Sequence, residues 1–106
     1  MADQHVRSGS PYEERYGFSR AVRENDRVVV AGTAPIPPPG EAVAPTAYAQ
    51  MLRCGEIMID ALRAAGSDPA HVVRTRMYLT DPADADDVGR AHQELFGSAA
   101  PASTMV

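Results

Sequence analysis

The sequence predicts an α+β fold in which two helices pack on one face of a sheet. Three patterns lead to this class: two neighbouring apolar runs typical of a hairpin, two segments with helical periodicity, and an alternating segment between those helices. The resulting order is strand, strand, helix, strand, helix, strand. A chain of 106 residues has room for one hydrophobic core, so we expect a single domain over residues 1–106.

The first third of the chain is predicted to contain a polar arm and a hairpin. Residues 1–15 are polar and show no period, which favours an irregular N-terminal arm. Residues 18–23 and 27–32 are apolar and flank an Asn25-Asp26 turn, where both residue types tolerate positive φ. Three consecutive valines at 28–30 predict a strand that is buried on both faces.

A proline-rich loop separates the hairpin from the first predicted helix. Residues 33–45 hold five prolines and are expected to form a loop. Residues 46–65 form the helix, with Thr46 as its N-cap and Gly66 just beyond its end. Gly55 lies on the apolar face and is expected to let the helix approach the sheet closely. The apolar positions of this face are Tyr48, Met51, Leu52, Gly55, Met58, Ile59 and Leu62.

Residues 72–81 alternate as a strand with one buried face does, and we expect a central strand. The inward set is Val73, Thr75, Met77 and Leu79, and the outward set is Arg74, Arg76, Tyr78 and Thr80. The outward arginines admit two interpretations. They form ion pairs with acidic residues of a neighbouring subunit, or they contact a ligand, because a guanidinium holds a carboxylate through two parallel hydrogen bonds.

The second predicted helix covers residues 84–96, with Val88, Ala91, Leu95 and Phe96 facing inward. The aspartates near its start suit the positive end of the helix dipole. Their spacing misses the calcium-loop pattern, so no metal site is predicted. Residues 103–106 read as the opening of a further strand, whose edge is expected to pair with another chain or a missing segment.

Composition and motifs exclude several function classes. The net charge of −4 and the pI near 5.2 argue against nucleic acid as the main partner, because a phosphate-binding surface is basic. No apolar run is long enough for a signal peptide or a membrane span, so a cytoplasmic location is expected. The usual catalytic signatures are missing. His92 is expected to be packed or half-exposed rather than catalytic, and Cys54 to act as a small apolar residue.

Several segments together resemble the Rid family, also called the YjgF family and, in older usage, endoribonuclease L-PSP. The matching segments are residues 16–22 (YGFSRAV), 28–34 (VVVAGTA), 61–66 (ALRAAG), 72–81 (VVRTRMYLTD), 96–97 (FG) and 101–104 (PAST). They run from about residue 12 to the end of the sequence, and their order and spacing are typical of the family.

The resemblance implies a chorismate-mutase-like α+β fold and a homotrimer with clefts between its subunits. Deaminase members of the family hydrolyse reactive enamines and imines and need no cofactor. In those members an arginine after Pro-Ala near the C-terminus binds the substrate carboxylate, and a carboxylate of the final strand helps to position water. The partner that the resemblance implies is therefore a small-molecule ligand or an imine substrate.

The sequence departs from that pattern at several places. Ser103 occupies the position of the carboxylate-binding arginine, which removes a contact worth about 1.5–3 kcal/mol. Phe18 stands where an aromatic hydroxyl is common, and Ala31 where a serine precedes the glycine. The final strand is not in the 106 residues, so the C-terminal strand region is expected to be incomplete.

Two functions stay open at this point. The first is a hydrolase that acts on an imine or enamine other than those derived from amino acids. Alternatively, this hydrolase uses Arg76 or Arg20 in place of the missing arginine to bind the substrate. The second is a non-catalytic trimer that binds a small metabolite. The predicted ligand-binding residues are Phe18, Gly32, Thr33, Arg76, Tyr78 and Ser103, and no catalytic residue is assigned. The acidic charge and the scattered histidines do not support a ribonuclease.

Overall fold

The computed structural model describes residues 3–106. Its elements, in chain order, are β1 (Gln4–Val6), α1 (Pro11–Tyr16), β2 (Ala21–Glu24), β3 (Arg27–Val30), α2 (Ala47–Ala64), β4 (Arg74–Met77), α3 (Ala85–Phe96) and β5 (Ala102–Met105), with short 3₁₀ turns at Pro69–His71 and Pro82–Asp84. Strands β1, β2 and β3 form an antiparallel sheet in that order, and β4 and β5 form a parallel pair. The α+β class predicted from the sequence is confirmed.

The irregular arm predicted for residues 1–15 is wrong over the residues that the structure describes; residues 1–2 lie outside them. Strand β1 pairs with β2. Helix α1 begins after Ser10, whose hydroxyl accepts a hydrogen bond from Tyr12 N–H, and Pro11 has the φ that a first helical residue needs. Gly17 ends the helix with a φ of +77°. The overlooked signal is the Ser-Pro-x-Glu pattern at residues 10–13, which is typical of a helix start.

The predicted hairpin is confirmed, and β2 turns into β3 at Asn25, whose φ is +54°. The burial expected for the three valines is wrong. Val29 is 53% exposed, whereas Val28 and Val30 are half-buried, so β3 has the alternation of a strand with one open face. Three like residues in a row carry no information about which of them points inward.

Helix α2 forms as predicted, after a loop at residues 33–45. Thr46 Oγ1 accepts a hydrogen bond of 3.1 Å from Ala49 N–H, and Gly66 has a φ of +84° beyond the helix end. The role predicted for Gly55 is wrong, because its nearest side chain is Leu95 on α3 rather than a residue of the sheet. The buried apolar residues are Ala21, Ala61, Leu62, Ala65, Met77, Val88, Ala91 and Phe96.

Strand β4 confirms the alternation predicted for residues 72–81, since Thr75 and Met77 are buried and the arginines between them are exposed. Val73 departs from it, with an exposure of 79%. Strand β5 forms at the predicted place. The expected central position is wrong within residues 3–106, because β4 pairs with β5 on one edge and with no described strand on the other.

Helix α3 forms where the second helix was predicted, and its residues Val88, Ala91 and Phe96 are buried. The turn before it is held by the Asp81 carboxylate, which accepts a hydrogen bond of 2.9 Å from Ala83 N–H. No helix within residues 3–106 is long and apolar enough to cross a membrane.

Candidate functional site

A cavity of about 1150 Å³ lies between β3 and β4, and we call it the β3–β4 cavity. One wall is formed by β3 and the residues that follow it, and the other by β4. Its floor is made by α2, through the side chains of Met51, Cys54, Met58 and Leu62. The cavity therefore combines an apolar floor with the main-chain edges of two strands.

Four of the six predicted ligand-binding residues line this cavity, and they come from both walls. Gly32 and Thr33 follow β3, while Arg76 and Tyr78 belong to β4 and the residue beyond its end. The Tyr78 side chain is 75% exposed, because it lies on the outward face of the strand. A Cβ atom built on Gly32 would meet no heavy atom within 4 Å, so the space beside this glycine is open.

Phe18 and Ser103 are not part of the cavity lining. Phe18 lies in the loop between α1 and β2, with 37% of its surface exposed. Ser103 lies on β5, directly opposite Thr75 of β4. Within one chain, four of the predicted residues therefore line the cavity and two lie outside it.

The Ser103 hydroxyl belongs to a hydrogen-bonded chain that runs into the protein. It accepts a hydrogen bond of 2.9 Å from Thr75 Oγ1, and the same Thr75 oxygen lies 2.8 Å from His92 Nε2. Thr75 is buried, and burial lowers the pKa of His92 because it disfavours the imidazolium. Position 103 therefore presents a neutral hydroxyl that is linked to a neutral imidazole.

Arg20 lies beside the glycine end of the cavity. Its Nη2 donates a hydrogen bond of 2.5 Å to the Gly32 carbonyl, and its Nε is buried with no partner among the described residues. Cys54 donates to the Thr33 carbonyl from Sγ at 3.4 Å, and burial raises the pKa of this thiol. The cysteine is consequently a weak hydrogen-bond donor here and not a thiolate, in agreement with the sequence prediction.

The outward arginines of β4 differ from each other. Arg74 Nη2 donates a hydrogen bond of 2.6 Å to Thr104 Oγ1 of β5. Arg76 forms no ion pair and no side-chain hydrogen bond within residues 3–106. The two interpretations given for these arginines, ion pairing between subunits and ligand contact, therefore apply best to Arg76. No metal-binding group of three or more His, Cys, Asp or Glu side chains occurs in the described chain.

Sequence reasoning missed the link from Ser103 through Thr75 to His92. Thr75 was placed on the inward face, and a hydroxyl on a buried face requires a hydrogen-bond partner. That requirement was the available signal, but the partner's identity depends on how α3 packs against β4. The burial of Arg20 Nε without a hydrogen-bond partner likewise depends on packing, so no local sequence pattern predicts it.

The fold and the cavity define an α+β protein with a cavity of about 1150 Å³ beside a strand–helix–strand unit. The chain belongs to the family described as endoribonuclease L-PSP, whose model matches residues 10–106. This confirms the resemblance seen in the sequence.

Relatives in three organisms support the assignment. The chain is 40% identical to the protein SCO2049 of Streptomyces coelicolor, over 99% of this chain and 78% of that protein. It is 34% identical to the RutC family protein y4sK of Sinorhizobium fredii, over 80% of this chain and 68% of that protein. Rv2704 of Mycobacterium tuberculosis, a member of the YjgF/YER057c/UK114 family, has a similar crystal structure, with a TM-score of 0.89, 38% identity, and coverage of 99% of this chain and 83% of that one.

Proposed function

We propose that this protein hydrolyses a reactive imine or enamine other than those derived from amino acids. The observation that carries the proposal is the state of position 103. Ser103 supplies a neutral hydroxyl, already bonded to Thr75, where family deaminases use a guanidinium. The cavity lined by Gly32, Thr33, Arg76 and Tyr78 supplies a space of suitable size for a small substrate.

The reaction adds water to the carbon of the C=N bond and then breaks the C–N bond, so that a carbonyl compound and an amine or ammonia leave. Charge develops on the attacking oxygen and on the departing nitrogen. We assign two groups of this chain to orient the attacking water and stabilise the developing charge. They are the hydrogen-bond donors at the open space beside Gly32 and the Tyr78 hydroxyl. Arg20 holds the Gly32 carbonyl and so positions this part of the wall.

The substrate preference follows from charge. A bidentate arginine–carboxylate contact contributes about 1.5–3 kcal/mol, or about ten- to a hundredfold in affinity. A serine hydroxyl does not replace it. We therefore expect this protein to prefer substrates without a carboxylate next to the C=N bond.

The experiment compares turnover of freshly generated imines with and without that carboxylate. The native protein is expected to act on the carboxylate-free imine, and Ser103→Arg to gain activity on the carboxylated one. Ser98→Arg is the matched control, since Ser98 is an exposed residue of the turn after α3. A native protein that hydrolyses the carboxylated imine faster would contradict the proposed preference.

A second candidate function is the binding of a small metabolite without chemistry. One observation favours it: burial raises the pKa of the Cys54 thiol in the cavity floor, so this side chain is not a base that could activate water. The candidate predicts that folded native and Ser103→Arg proteins both fail to turn over either imine. It further predicts that the stable oxime of the same carbonyl compound binds the native protein in calorimetry, and that Gly32→Ala weakens this binding.

Both candidates include a homotrimer in the cytoplasm, as the family resemblance and the sequence imply. Phe18 and Ser103 lie outside the cavity of one chain, and clefts between subunits are where we expect them to meet a ligand. Sedimentation of the purified protein tests the trimer, and fractionation of the source cells tests the location.

A further inference from the structure

The hydrogen-bonded chain that ends at Ser103 has a definite direction. The Thr75 hydroxyl carries a single proton, and it donates that proton to Ser103 Oγ at 2.9 Å. The contact of 2.8 Å between Thr75 Oγ1 and His92 Nε2 therefore requires the imidazole to donate from Nε2. Donation thus runs from His92 through Thr75 to Ser103.

This direction leaves the hydroxyl proton of Ser103 unused. Ser103 Oγ accepts from Thr75, and its own O–H donates to no group within residues 3–106. Ser103 is exposed, whereas the residue behind it, Thr75, is only 6% exposed. The chain of hydrogen bonds therefore leads from a buried hydroxyl to a free donor at the surface.

The Ser103 O–H is polarised and oriented before a ligand arrives. Successive hydrogen bonds polarise one another, so donation from His92 and Thr75 strengthens the next O–H in the chain. The His92 ring packs against the fully buried Phe96, with 5.5 Å between the ring centroids, and Thr75 lies on the buried face of β4. Both groups behind Ser103 are consequently held in place by packing.

We propose that Ser103 donates this hydrogen bond to a neutral carbonyl oxygen that the ligand carries next to its C=N bond. The substrate class is then an imine with a neighbouring ketone, ester or amide. Thr75 and His92 act through Ser103 and are positioning residues. This inference rests on the function proposed above, which places Ser103 against the ligand, and it adds the group that stands in place of the carboxylate.

The groups that are hydrogen-bonded behind Ser103 favour a neutral acceptor over an anion. Thr75 supplies a hydroxyl, and burial lowers the pKa of His92, which disfavours its charged form. The neighbouring Arg74 bonds to Thr104 instead, on the opposite face of the strand pair. A carboxylate would lose hydration here without a counter-charge from this chain of groups, whereas a carbonyl oxygen is satisfied by one donor.

The test uses three stable oximes that have equal numbers of heavy atoms and differ in the group next to the C=N bond. They are the monooxime of diacetyl, with an acetyl group, the oxime of methyl isopropyl ketone, with an isopropyl group, and the oxime of pyruvate, with a carboxylate. Affinity is measured by NMR titration. We expect the native protein to bind the acetyl oxime about three- to tenfold more tightly than the isopropyl oxime, as one neutral hydrogen bond allows. The carboxylate oxime is expected to bind more weakly than the acetyl oxime.

Variants of the chain assign this preference to its residues. Ser103→Ala is expected to weaken the acetyl oxime alone, so that the acetyl and isopropyl oximes bind equally. Thr75→Val is expected to reduce the preference and Thr75→Ser to keep it, because serine retains the hydroxyl. A merely structural role would weaken both oximes together. Thr104→Val is the matched control that keeps the preference, since this hydroxyl bonds to Arg74 on the other face.

The direction of donation is tested separately on the native protein. Nitrogen NMR spectroscopy distinguishes an imidazole that is protonated at Nε2 from one that is protonated at Nδ1. The spectrum is recorded above pH 6.5, where His92 is neutral. We expect the proton on Nε2, and a shift of this resonance in Thr75→Val, which removes the acceptor.

Failure of this inference is distinguishable from failure of the proposed hydrolase. An acetyl preference that Ser103→Ala abolishes, in a protein that hydrolyses no imine, would support the inference and contradict the hydrolase. Turnover of imines with no preference for a neighbouring carbonyl would do the reverse. The inference is also overturned by a neutral His92 that is protonated at Nδ1, or by a folded protein that binds none of the three oximes.

Discussion

A Cβ atom on Gly55 would lie 2.3 Å from Leu95 Cδ1, so α2 and α3 approach each other at a point where only glycine fits without a shift. Ala91 and Phe96 of the same helix α3 are buried. The close approach fixes α3 against α2, and α3 carries His92, which bonds to β4. The glycine that allows α2 and α3 to approach thus lies in the helix packed against α3, and α3 also contacts β4.

Gly55→Ala is expected to destabilise the protein, although alanine is the better helix former. Overpacking costs about 1–3 kcal/mol, against a gain of about 1 kcal/mol in helix propensity. Gly89→Ala is the matched control, because Gly89 lies in α3 with no heavy atom within 4 Å of a built Cβ. Urea denaturation is expected to move the two midpoints in opposite directions. A stabilised Gly55→Ala protein would mean that Leu95 has room to move aside.

Glu13 is expected to make stability fall in acid. Burial acts to raise the pKa of this carboxyl, but hydrogen bonds from Ser8 N–H and Ser8 Oγ, together with the Arg20 charge, outweigh it, and the pKa lies below its ordinary value of 4.5. The stabilisation is therefore present above pH 4.5 and is lost as the pH falls through the folded-state pKa. Glu13→Gln is expected to flatten this part of the stability profile in urea melts at successive pH values. An unchanged slope would rule out this carboxyl as the source.

His92 is expected to act in a higher pH window. Burial lowers the pKa of its imidazole from 6.5, so the unfolded chain binds a proton first and stability falls as the pH drops below 6.5. His92→Gln is expected to remove this slope, leaving the acid slope of Glu13. Stability profiles of the native and His92→Gln proteins that coincide as the pH falls below 6.5 would contradict the assignment.

Thr75→Val is expected to cost about 1–3 kcal/mol, because it leaves the half-buried His92 Nε2 without its partner. Valine has nearly the volume of threonine, so the loss reports the hydroxyl rather than a cavity. Thr104→Val is the control on β5, where the hydroxyl accepts from the exposed Arg74 instead. Equal losses in the two variants, measured by urea denaturation, would count against a special role for the buried hydroxyl.

If the proposed homotrimer forms, light scattering is expected to give about three times the chain mass of 11.3 kDa. If Arg76 pairs with an acidic residue of a neighbouring subunit, Arg76→Glu is expected to dissociate the trimer, and high salt to weaken the native one. If Arg76 contacts ligand instead, the variant stays trimeric and loses ligand affinity. A monomeric native protein at working concentration would contradict the assembly.

Much of the fold could be predicted because it rests on local periodicity. The hairpin at Asn25, the helix after Thr46 and the alternation around Thr75 each leave a signature within a few residues. The wrong predictions concern which elements pack against a given residue. Val29 is exposed because no described element covers its face, and Gly55 meets a helix rather than the sheet, which no local pattern indicates.

The candidate site was predicted less completely for the same reason. Gly32, Thr33, Arg76 and Tyr78 share one cavity because a helix connects their strands, and that connection was visible in the sequence. The hydrogen-bonded chain from Ser103 to His92 requires the register of β4 against β5 and the rotation of α3. Both the register and the rotation depend on tertiary packing, so local sequence patterns do not predict them.

The separation of the two sheets has a consequence for cooperativity. Within residues 3–106 no backbone hydrogen bond joins the β1–β2–β3 sheet to the β4–β5 pair. The N-terminal sheet is tied instead to the end of α2, where Arg23 Nη1 donates to the Ala65 carbonyl at 2.7 Å and Gln4 Nε2 to the Ala64 carbonyl at 3.0 Å. We therefore expect the two sheets to open as separate subglobular units, each of which packs against α2.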